Sequence, residues 1–418
     1  MYCNSVEEFI DLHINQNVRY DILFFRDKQM YIDLYNVAKE NMSKPEYQNI
    51  LGCLYKYGEG VDKDMNQAYQ YFMLASSKGH PYATYEIGLM FDRGDFLKQN
   101  HIEAAKWYQK AADKDCSAAV NNLGLLYEKG LGVNQDISKA FQLYEKGYKL
   151  GNISSLTNLA LFYKKGIYVK KDLDKAFQLF LEGAERNDKV SFNQLGLMYE
   201  NGEGTNKDLT KAYQYFLKSA NLGYVNAMNN VGYFLEHGMG VNKDLAEALK
   251  WYEKGAEHGD PYAMRNAGLF YRNGLATKKD DYKAFAYFEK AAKLNHNASM
   301  VHLGFMLEKG EGVAKNYQAA FEWYKKAADL GNAIAMNNVG VFYEHGYHVA
   351  KNLALAVYYY RKSSDAGEPI GTYDLGLCYQ NGIGVEKNYP MALSLYKKAA
   401  EKGYEPAKKA YTELLKRM

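Results

Sequence analysis

The stretch from Val225 to Asp260, VNAMNNVGYFLEHGMGVNKDLAEALKWYEKGAEHGD, recurs head to tail along almost the whole 418-residue chain. An alanine equivalent to Ala248 and an aromatic residue equivalent to Tyr252 return every 36 residues in ten copies, without insertion. Self-similarity of this kind is the signature of a solenoid, in which each repeat contacts mainly its neighbours. The glycines equivalent to Gly238 are Gly58, Gly94, Gly130, Gly166, Gly202, Gly274, Gly310, Gly346 and Gly382.

We number the repeats 1 to 10 and the positions within each from 1 to 36, so that Val225 is position 1 of repeat 6. The repeats span 45–80, 81–116, 117–152, 153–188, 189–224, 225–260, 261–296, 297–332, 333–368 and 369–404. Each is predicted to contain two helices. The first ends at the glycine of position 14, because glycine accepts the left-handed conformation that terminates helices. The second begins after position 20, which is Asp or Asn in all ten copies, as an N-cap favours.

The second helix is predicted to end at position 35, which is glycine in seven repeats. The other three carry Asp115, Asn187 and Asn295, the non-glycine residue types that best tolerate a positive φ. A further glycine at position 16 is replaced in four repeats, where we expect locally altered loops. The replacements are Phe96, Tyr168, Ala276 and His348.

Residues 1–44 lie outside the repeats, with helical patterns over Val6–Ile14 and Lys28–Asn41. They are predicted to form an N-terminal helical cap over the apolar side of repeat 1, although a separate docking element is a second interpretation. Residues 405–418 are predicted to form a C-terminal capping helix.

Composition excludes several classes of protein. The chain is 47% hydrophobic and 24% charged with a net charge of +3, which gives no electrostatic case for nucleic acid or membrane binding. The start lacks a basic region followed by an apolar run, and no stretch approaches a membrane span, so we expect an intracellular, cytoplasmic protein without membrane insertion. The four cysteines are widely separated and match no zinc spacing.

The repeated pattern resembles the Sel-1-like repeat family, a relative of tetratricopeptide repeats. It is seen best in Ala119–Gly132 and Ala320–Ala328. The resemblance implies an all-α, right-handed superhelical solenoid of antiparallel helix pairs, and a role as adaptor or scaffold. We therefore expect a non-catalytic protein that binds a protein or peptide segment along the concave face, as a monomer or with weak self-association. The alternatives are a self-assembling structural protein and, less favoured, a β-lactam-hydrolase-like enzyme.

A helical wheel of the first helix separates a core side from a second side that the resemblance places on the concave surface. On the second side, position 9 is mostly apolar, position 6 is rich in amides and position 12 is acidic in six repeats. We predict a groove that binds basic or neutral segments, while the alternative is that these rows join adjacent repeats. The candidate residues are Asn121, Asn122, Asn158, Leu197, Asn229, Asn230, Tyr233, Glu236, Arg265, Asn266, His302, Phe305, Asn337, Asn338, Tyr373 and Asp374.

No pattern of catalytic chemistry stands out. The Gly-x-Gly loops follow predicted helices and lack the Lys-Ser/Thr that holds a phosphate, so they are interpreted as repeat turns. His345 and His348 have no accompanying carboxylate set, and no nucleophile motif of the β-lactamase type emerges. The sequence therefore predicts no catalytic residue, cofactor or metal.

Overall fold

The computed structural model describes residues 1–15, 19–20 and 24–417. The chain forms two compact bodies, Met1–Lys207 and Asp208–Met418, and each is described by itself. Both are built from helices of 12 or 13 residues, arranged so that each packs on the next helix along the chain. This is the all-α arrangement of repeated helix pairs that the 36-residue period predicts.

The N-terminal body begins with short elements. They are β1 (Tyr2–Cys3), α1 (Val6–Ile10), a π-helical turn (Asp11–Asn15), β2 (Phe24–Phe25) and α2 (Lys28–Glu40). The repeat helices of this body are α3 (Pro45–Tyr57), α4 (Met65–Ser77), α5 (Pro81–Arg93), α6 (His101–Ala112), α7 (Ser117–Lys129), α8 (Ile137–Lys149), α9 (Ile153–Lys165), α10 (Leu173–Glu185) and α11 (Lys189–Asn201). The parallel pairing of β1 with β2 was not expected from the sequence.

The C-terminal body continues the same alternation. Its helices are α12 (Leu209–Asn221), α13 (Val225–His237), α14 (Leu245–Glu257), α15 (Pro261–Asn273), α16 (Asp281–Lys293), α17 (Asn297–Lys309), α18 (Tyr317–Asp329), α19 (Ala333–His345), α20 (Leu353–Asp365), α21 (Pro369–Asn381), α22 (Tyr389–Glu401) and α23 (Glu405–Arg417). The last of these packs on α22 as a first helix packs on the preceding second helix, with Ala407 and Leu414 buried.

The predicted helix ends are confirmed. All ten glycines of position 14 have φ between 67° and 77°, and the Asp or Asn of position 20 accepts a backbone N–H bond in every repeat. Position 35 has a positive φ throughout, including 57° at Asp115 and 58° at Asn187. Each helix is therefore stopped or started by one residue whose backbone preference is local.

The expectation of altered loops at position 16 was wrong for three of the four replacements. Tyr168, Ala276 and His348 have φ of 63°, 56° and 63°, close to the 65–71° of the glycines at this position. Two of these side chains pack outward on a ring of the preceding second helix, since Tyr168 lies 5.4 Å from Phe141 between ring centroids. His348 lies 6.5 Å from Phe321 in the same way. Only Phe96 leaves the conformation.

The two helices of a repeat meet where a glycine faces a ring. Tyr252 is fully buried, and a Cβ added to Gly232 would come within 2.6 Å of its ring. The same close approach occurs in repeat 9, where a Cβ on Gly340 would meet Tyr360 at 2.6 Å. Glycine at position 8 therefore lets the ring of position 28 lie directly against the first helix. As a result, the side chain of position 12 lies at the outer end of that ring.

In the N-terminal body, α2 takes the place of a preceding second helix. A Cβ on Gly60 would meet the Tyr31 backbone at 2.5 Å, and Gly132 makes the equivalent approach to α6. Lys78 Nζ donates to the Ser43 carbonyl at 2.6 Å, as Lys114 Nζ donates to the Gly79 carbonyl at 2.9 Å. Thus α2 covers the end of repeat 1 with contacts that follow the repeat's own geometry.

Candidate functional site

The surface of interest is the side of each first helix formed by positions 5, 6, 9 and 12, which we call the first-helix face. On α13 it consists of Asn229, Asn230, Tyr233 and Glu236, none of which is buried, and Tyr233 is 42% exposed. The opposite side of α13 is buried, as the helical wheel predicts. The buried residues are Ala227, Met228, Val231, Gly232, Phe234 and Leu235.

In the N-terminal body, amide side chains join adjacent repeats across this face. Asn158 Nδ2 on α9 donates to Asn121 Oδ1 on α7 at 3.1 Å, and Ser155 Oγ donates to the same oxygen at 3.2 Å. Asn122 Nδ2 donates to the Tyr108 hydroxyl at 3.3 Å. Leu197 lies on α11 and is half-buried.

The same joint recurs in the C-terminal body. Asn266 Nδ2 donates to Asn229 Oδ1 at 2.9 Å, and Asn266 Oδ1 accepts from Arg265 at 3.2 Å. A hydrogen bond also links Asn337 with Asp374. Positions 5 and 6 thus meet across the borders of repeats 3–4, 6–7 and 9–10, which are 108 residues apart. At these borders, side chains of the amide row join neighbouring repeats. This is the alternative to a groove that the sequence analysis left open.

The acidic row at position 12 is tied to the ring at position 28. In each of the six repeats with tyrosine there, the hydroxyl donates to the position-12 side chain of the same repeat at 2.5–3.1 Å. The acceptors are Asp92, Glu128, Glu236, Glu308, Glu344 and Gln380. Burial and the adjacent carboxylate both raise the pKa of Tyr252, so its hydroxyl stays a donor. These acids satisfy a polar group at the core edge, and the expected preference for basic segments does not follow from them.

Where position 28 is phenylalanine, position 12 changes character. Repeats 1, 4 and 7 carry Lys56, Lys164 and Arg272 there, and repeat 5 alone keeps an acid, Glu200. Each of the three cations reaches the next repeat instead. Lys56 Nζ lies 2.6 Å from Glu86, Lys164 Nζ lies 3.2 Å from Glu203, and Arg272 lies 3.0 Å from Glu311. The sequence analysis missed this exchange, although the joint variation of positions 12 and 28 was visible in the repeats.

Aromatic and basic side chains collect on the face in repeats 6 to 8. The Tyr233 and His237 rings are 4.2 Å apart between centroids, and the Arg272 guanidinium lies 4.7 Å from the Phe305 centroid. His302 stacks on Phe288 at 4.8 Å. Burial, with Arg265 and Arg272 nearby, lowers the pKa of His302 to about 4, so this imidazole is neutral at pH 7.

In repeats 9 and 10 the face is more polar. Asn338 is half-buried on α19, while Tyr373 on α21 lies 5.5 Å from the Tyr396 ring and 5.4 Å from the Tyr404 ring. Burial raises the pKa of Asp374 to about 6, with a further rise from Glu344 that the Asn337 hydrogen bond partly offsets. Asp374 is therefore the carboxylate on this face that is most easily protonated.

Other kinds of site are not seen. Among the described residues, no group of three or more His, Cys, Asp or Glu side chains is placed to hold a metal ion. The helices in that part of the chain are all too short or too polar to cross a membrane. Each of the four cysteines is a buried thiol without a disulfide partner, and burial raises the pKa of Cys116 to about 11.

Comparison with known proteins identifies the class. The Sel1 repeat model matches ten times and covers nearly all of the repeat region. The matched residues are 45–80, 81–116, 117–152, 153–188, 193–224, 225–260, 261–296, 297–332, 333–368 and 369–404. The chain belongs to the Sel1 repeat family, whose members generally act as protein-interaction scaffolds.

Two solved structures are similar over long stretches. One is c5321, a protective antigen present in uropathogenic Escherichia coli strains and displaying an SLR fold. It is 30% identical, with a TM-score of 0.65, over 92% of this chain and 82% of that one. The other is a Sel1 repeat protein from Oxalobacter formigenes, 26% identical, with a TM-score of 0.55, over 58% of this chain and 96% of that one. A search of curated proteins gave no match.

Proposed function

We propose that this chain is a non-catalytic scaffold that binds an extended segment of another protein on the first-helix face of its C-terminal body. One observation carries the proposal. Tyr233 is 42% exposed at position 9, where Cys53 and Leu89 are 3% and 7% exposed. A large aromatic side chain left in solvent on an otherwise packed helix is typical of a contact residue.

The surroundings of Tyr233 support this role. The His237 ring lies against Tyr233 in a tilted arrangement, and Arg265 and Phe305 lie on the same face of the next two repeats. Exposed aromatic and arginine side chains supply the largest contributions at protein interfaces. Amides alongside them can pair with an extended backbone. The four cysteines form no disulfide, which fits a reducing, intracellular compartment.

A displayed peptide library selected on the full chain tests the proposal. Peptides that bind the native protein should lose at least tenfold in affinity when Tyr233 and Phe305 are both replaced by Asp. Leu197→Asp extends the test to the N-terminal body. Tyr282→Asp is the matched control, because Tyr282 is 77% exposed on a second helix. If the folded double variant binds as the native chain does, while Tyr282→Asp weakens binding, the first-helix face is not the site.

Self-association is the second candidate, and a different surface favours it. Lysines at position 34 join repeats, as Lys402 Nζ does by donating to the Gly367 carbonyl at 2.7 Å. The C-terminal body has leucine there in three repeats: Leu222, Leu294 and Leu330 are 44%, 52% and 49% exposed. Exposed leucines at a position where lysine would bond to the neighbouring repeat suggest contact with a second copy of this chain.

Light scattering across concentration tests self-association. If it occurs through these leucines, the native chain should gain mass as concentration rises, and Leu294→Lys with Leu330→Lys should keep it monomeric. A native chain that stays monomeric up to high micromolar concentration would exclude this function.

A further inference from the structure

Three residues that precede α2, His13, Arg19 and Tyr20, contact side chains of repeats 1 and 2. Some of the residues ahead of α2, such as Phe9 and Phe25, share a core cluster with repeat 1, whereas Arg19 and Tyr20 also make polar and cation–π contacts. The contacts of His13, Arg19 and Tyr20 involve position 5, which belongs to the first-helix face, and positions 13 and 15 at and just beyond the end of the first helix.

Tyr20 is held by one polar and one stacking contact. Its hydroxyl donates to Glu59 Oε2 at 2.7 Å, and its ring lies parallel to Tyr57 with 6.2 Å between centroids and 1° between planes. Tyr20 is 5% exposed, and its burial raises the pKa of the phenol well above 10, so the hydroxyl donates at any physiological pH. A hydroxyl bonded to a carboxylate is among the stronger hydrogen bonds in proteins, and it specifies tyrosine over phenylalanine.

Arg19 extends the contact into repeat 2. Its guanidinium lies 5.5 Å from the centroid of the Tyr85 ring, within the range of a cation–π interaction. In repeat 1, His13 Nε2 lies 3.3 Å from the Asn49 amide. Asn49 and Tyr85 both stand at position 5 and are 1% and 5% exposed. Two consecutive residues, an arginine and a tyrosine, thus satisfy side chains contributed by two repeats.

We propose that Tyr57, Glu59 and the face residue Tyr85 form a recognition site in repeats 1 and 2 for an arginine followed by a tyrosine. In this chain the site is filled by Arg19 and Tyr20, and a partner segment with the same pair competes for it. The Glu59 carboxylate accepts a hydrogen bond from the tyrosine hydroxyl, and Tyr57 stacks on the tyrosine ring. The arginine guanidinium makes a cation–π contact with Tyr85. Separate pockets for the individual side chains of a bound segment are a common mode of peptide recognition.

The test uses the full chain with Arg19→Ala and Tyr20→Phe, which removes the cation and the hydroxyl but leaves a ring in the core. The probe is a fluorescein-labelled peptide with the sequence of residues 13–22, HINQNVRYDI, followed by anisotropy. The double variant should bind this peptide at least tenfold more tightly than the native chain, whose site is occupied. A peptide with alanine in place of its arginine and tyrosine should lose that affinity.

Adding Glu59→Gln and Tyr85→Leu to the double variant should abolish binding. A double variant that folds by circular dichroism but does not bind the peptide would overturn the proposal, as would binding that ignores Glu59 and Tyr85. Should the double variant unfold, Arg19→Ala alone serves, and equal peptide affinity for it and the native chain refutes the site. The inference rests on the proposed function only in treating the first-helix face as a binding face. Because that function is tested on Tyr233 and Phe305 with other peptides, each can fail without the other.

Discussion

Replacing Asp374 by Asn should stabilise the protein at neutral pH. Burial raises the pKa of Asp374 from 3.8 to about 6, with Asn337 and Glu344 as smaller influences of opposite sign. For an acid whose pKa is higher in the folded state, the folded state binds the proton more tightly. Stability is therefore greatest below pH 4 and falls as the pH rises through about 6.

The size of the effect follows from the shift. One unit of pKa corresponds to about 1.4 kcal/mol, so the rise in the pKa of Asp374 sets an upper bound of about 3 kcal/mol on the stabilisation. Asp374 is partly exposed, and screening by solvent reduces the expected gain to about 1–2 kcal/mol. The new amide can also donate to Asn337 Oδ1, which is buried without a partner, as Asn266 donates to Asn229 at 2.9 Å.

Urea unfolding followed by circular dichroism between pH 4 and pH 8 measures this. The native midpoint should fall across pH 5–7, while the Asp374→Asn midpoint should fall less and lie higher at pH 7.5. Asp365→Asn is the matched control, because this exposed aspartate at the end of α20 gives the same change in net charge. A variant no more stable than the native chain at pH 7.5, or a gain equal to that of the control, would refute the reasoning.

Three further changes test the packing of the repeats. Tyr252→Phe should cost about 1–2 kcal/mol in urea unfolding, because Glu236 loses a hydrogen bond of 2.6 Å, and Glu236→Gln in the same chain should recover part of it. Gly232→Ala should cost about 1–3 kcal/mol, since its Cβ would come within 2.6 Å of the Tyr252 ring; a change below 0.5 kcal/mol would show that the ring moves freely. Gly259→Asn should be nearly neutral, within about 0.5 kcal/mol, because Asn187 and Asn295 hold the same position with φ of 58° and 63°. Gly259→Val, a β-branched residue at φ +89°, should cost more than about 1 kcal/mol in the same assay.

The sequence predicts the helix boundaries well because each depends on one residue with a local backbone requirement. Gly238 must adopt φ of 69°, and Asp244 must accept the N–H of Glu247, whatever surrounds them. Contacts that do not repeat leave no periodic signal. The bond from Tyr20 to Glu59 joins residues 39 apart, one of which lies outside the repeats, so neither the spacing nor the composition predicts it.

The position-16 loops show a second limit. Glycine there indicates a positive φ, but Tyr168 and Ala276 keep the positive φ, and the Tyr168 ring also packs on Phe141 of the preceding second helix. The residue type at one position thus depends on both backbone strain and side-chain packing, and the sequence alone does not separate these two influences. The same holds for the candidate face, where Asn229 is both a predicted binding residue and the acceptor of an inter-repeat bond.

The residue types at positions 12 and 28 vary together, and this limits the positions that can determine which partner is bound. Tyrosine with Asp, Glu or Gln occurs in six repeats and phenylalanine with Lys or Arg in three, so nine of ten repeats satisfy one of two packing solutions. A residue whose type is required by one of these packing arrangements has little freedom to vary in favour of a particular partner. Position 9 has no comparable constraint, since it is occupied by Cys, Leu, Tyr, Phe and Val without a matching change elsewhere in the repeat. Departures at that position, Tyr233 above all, are therefore the changes that can alter binding while leaving the helix pair intact.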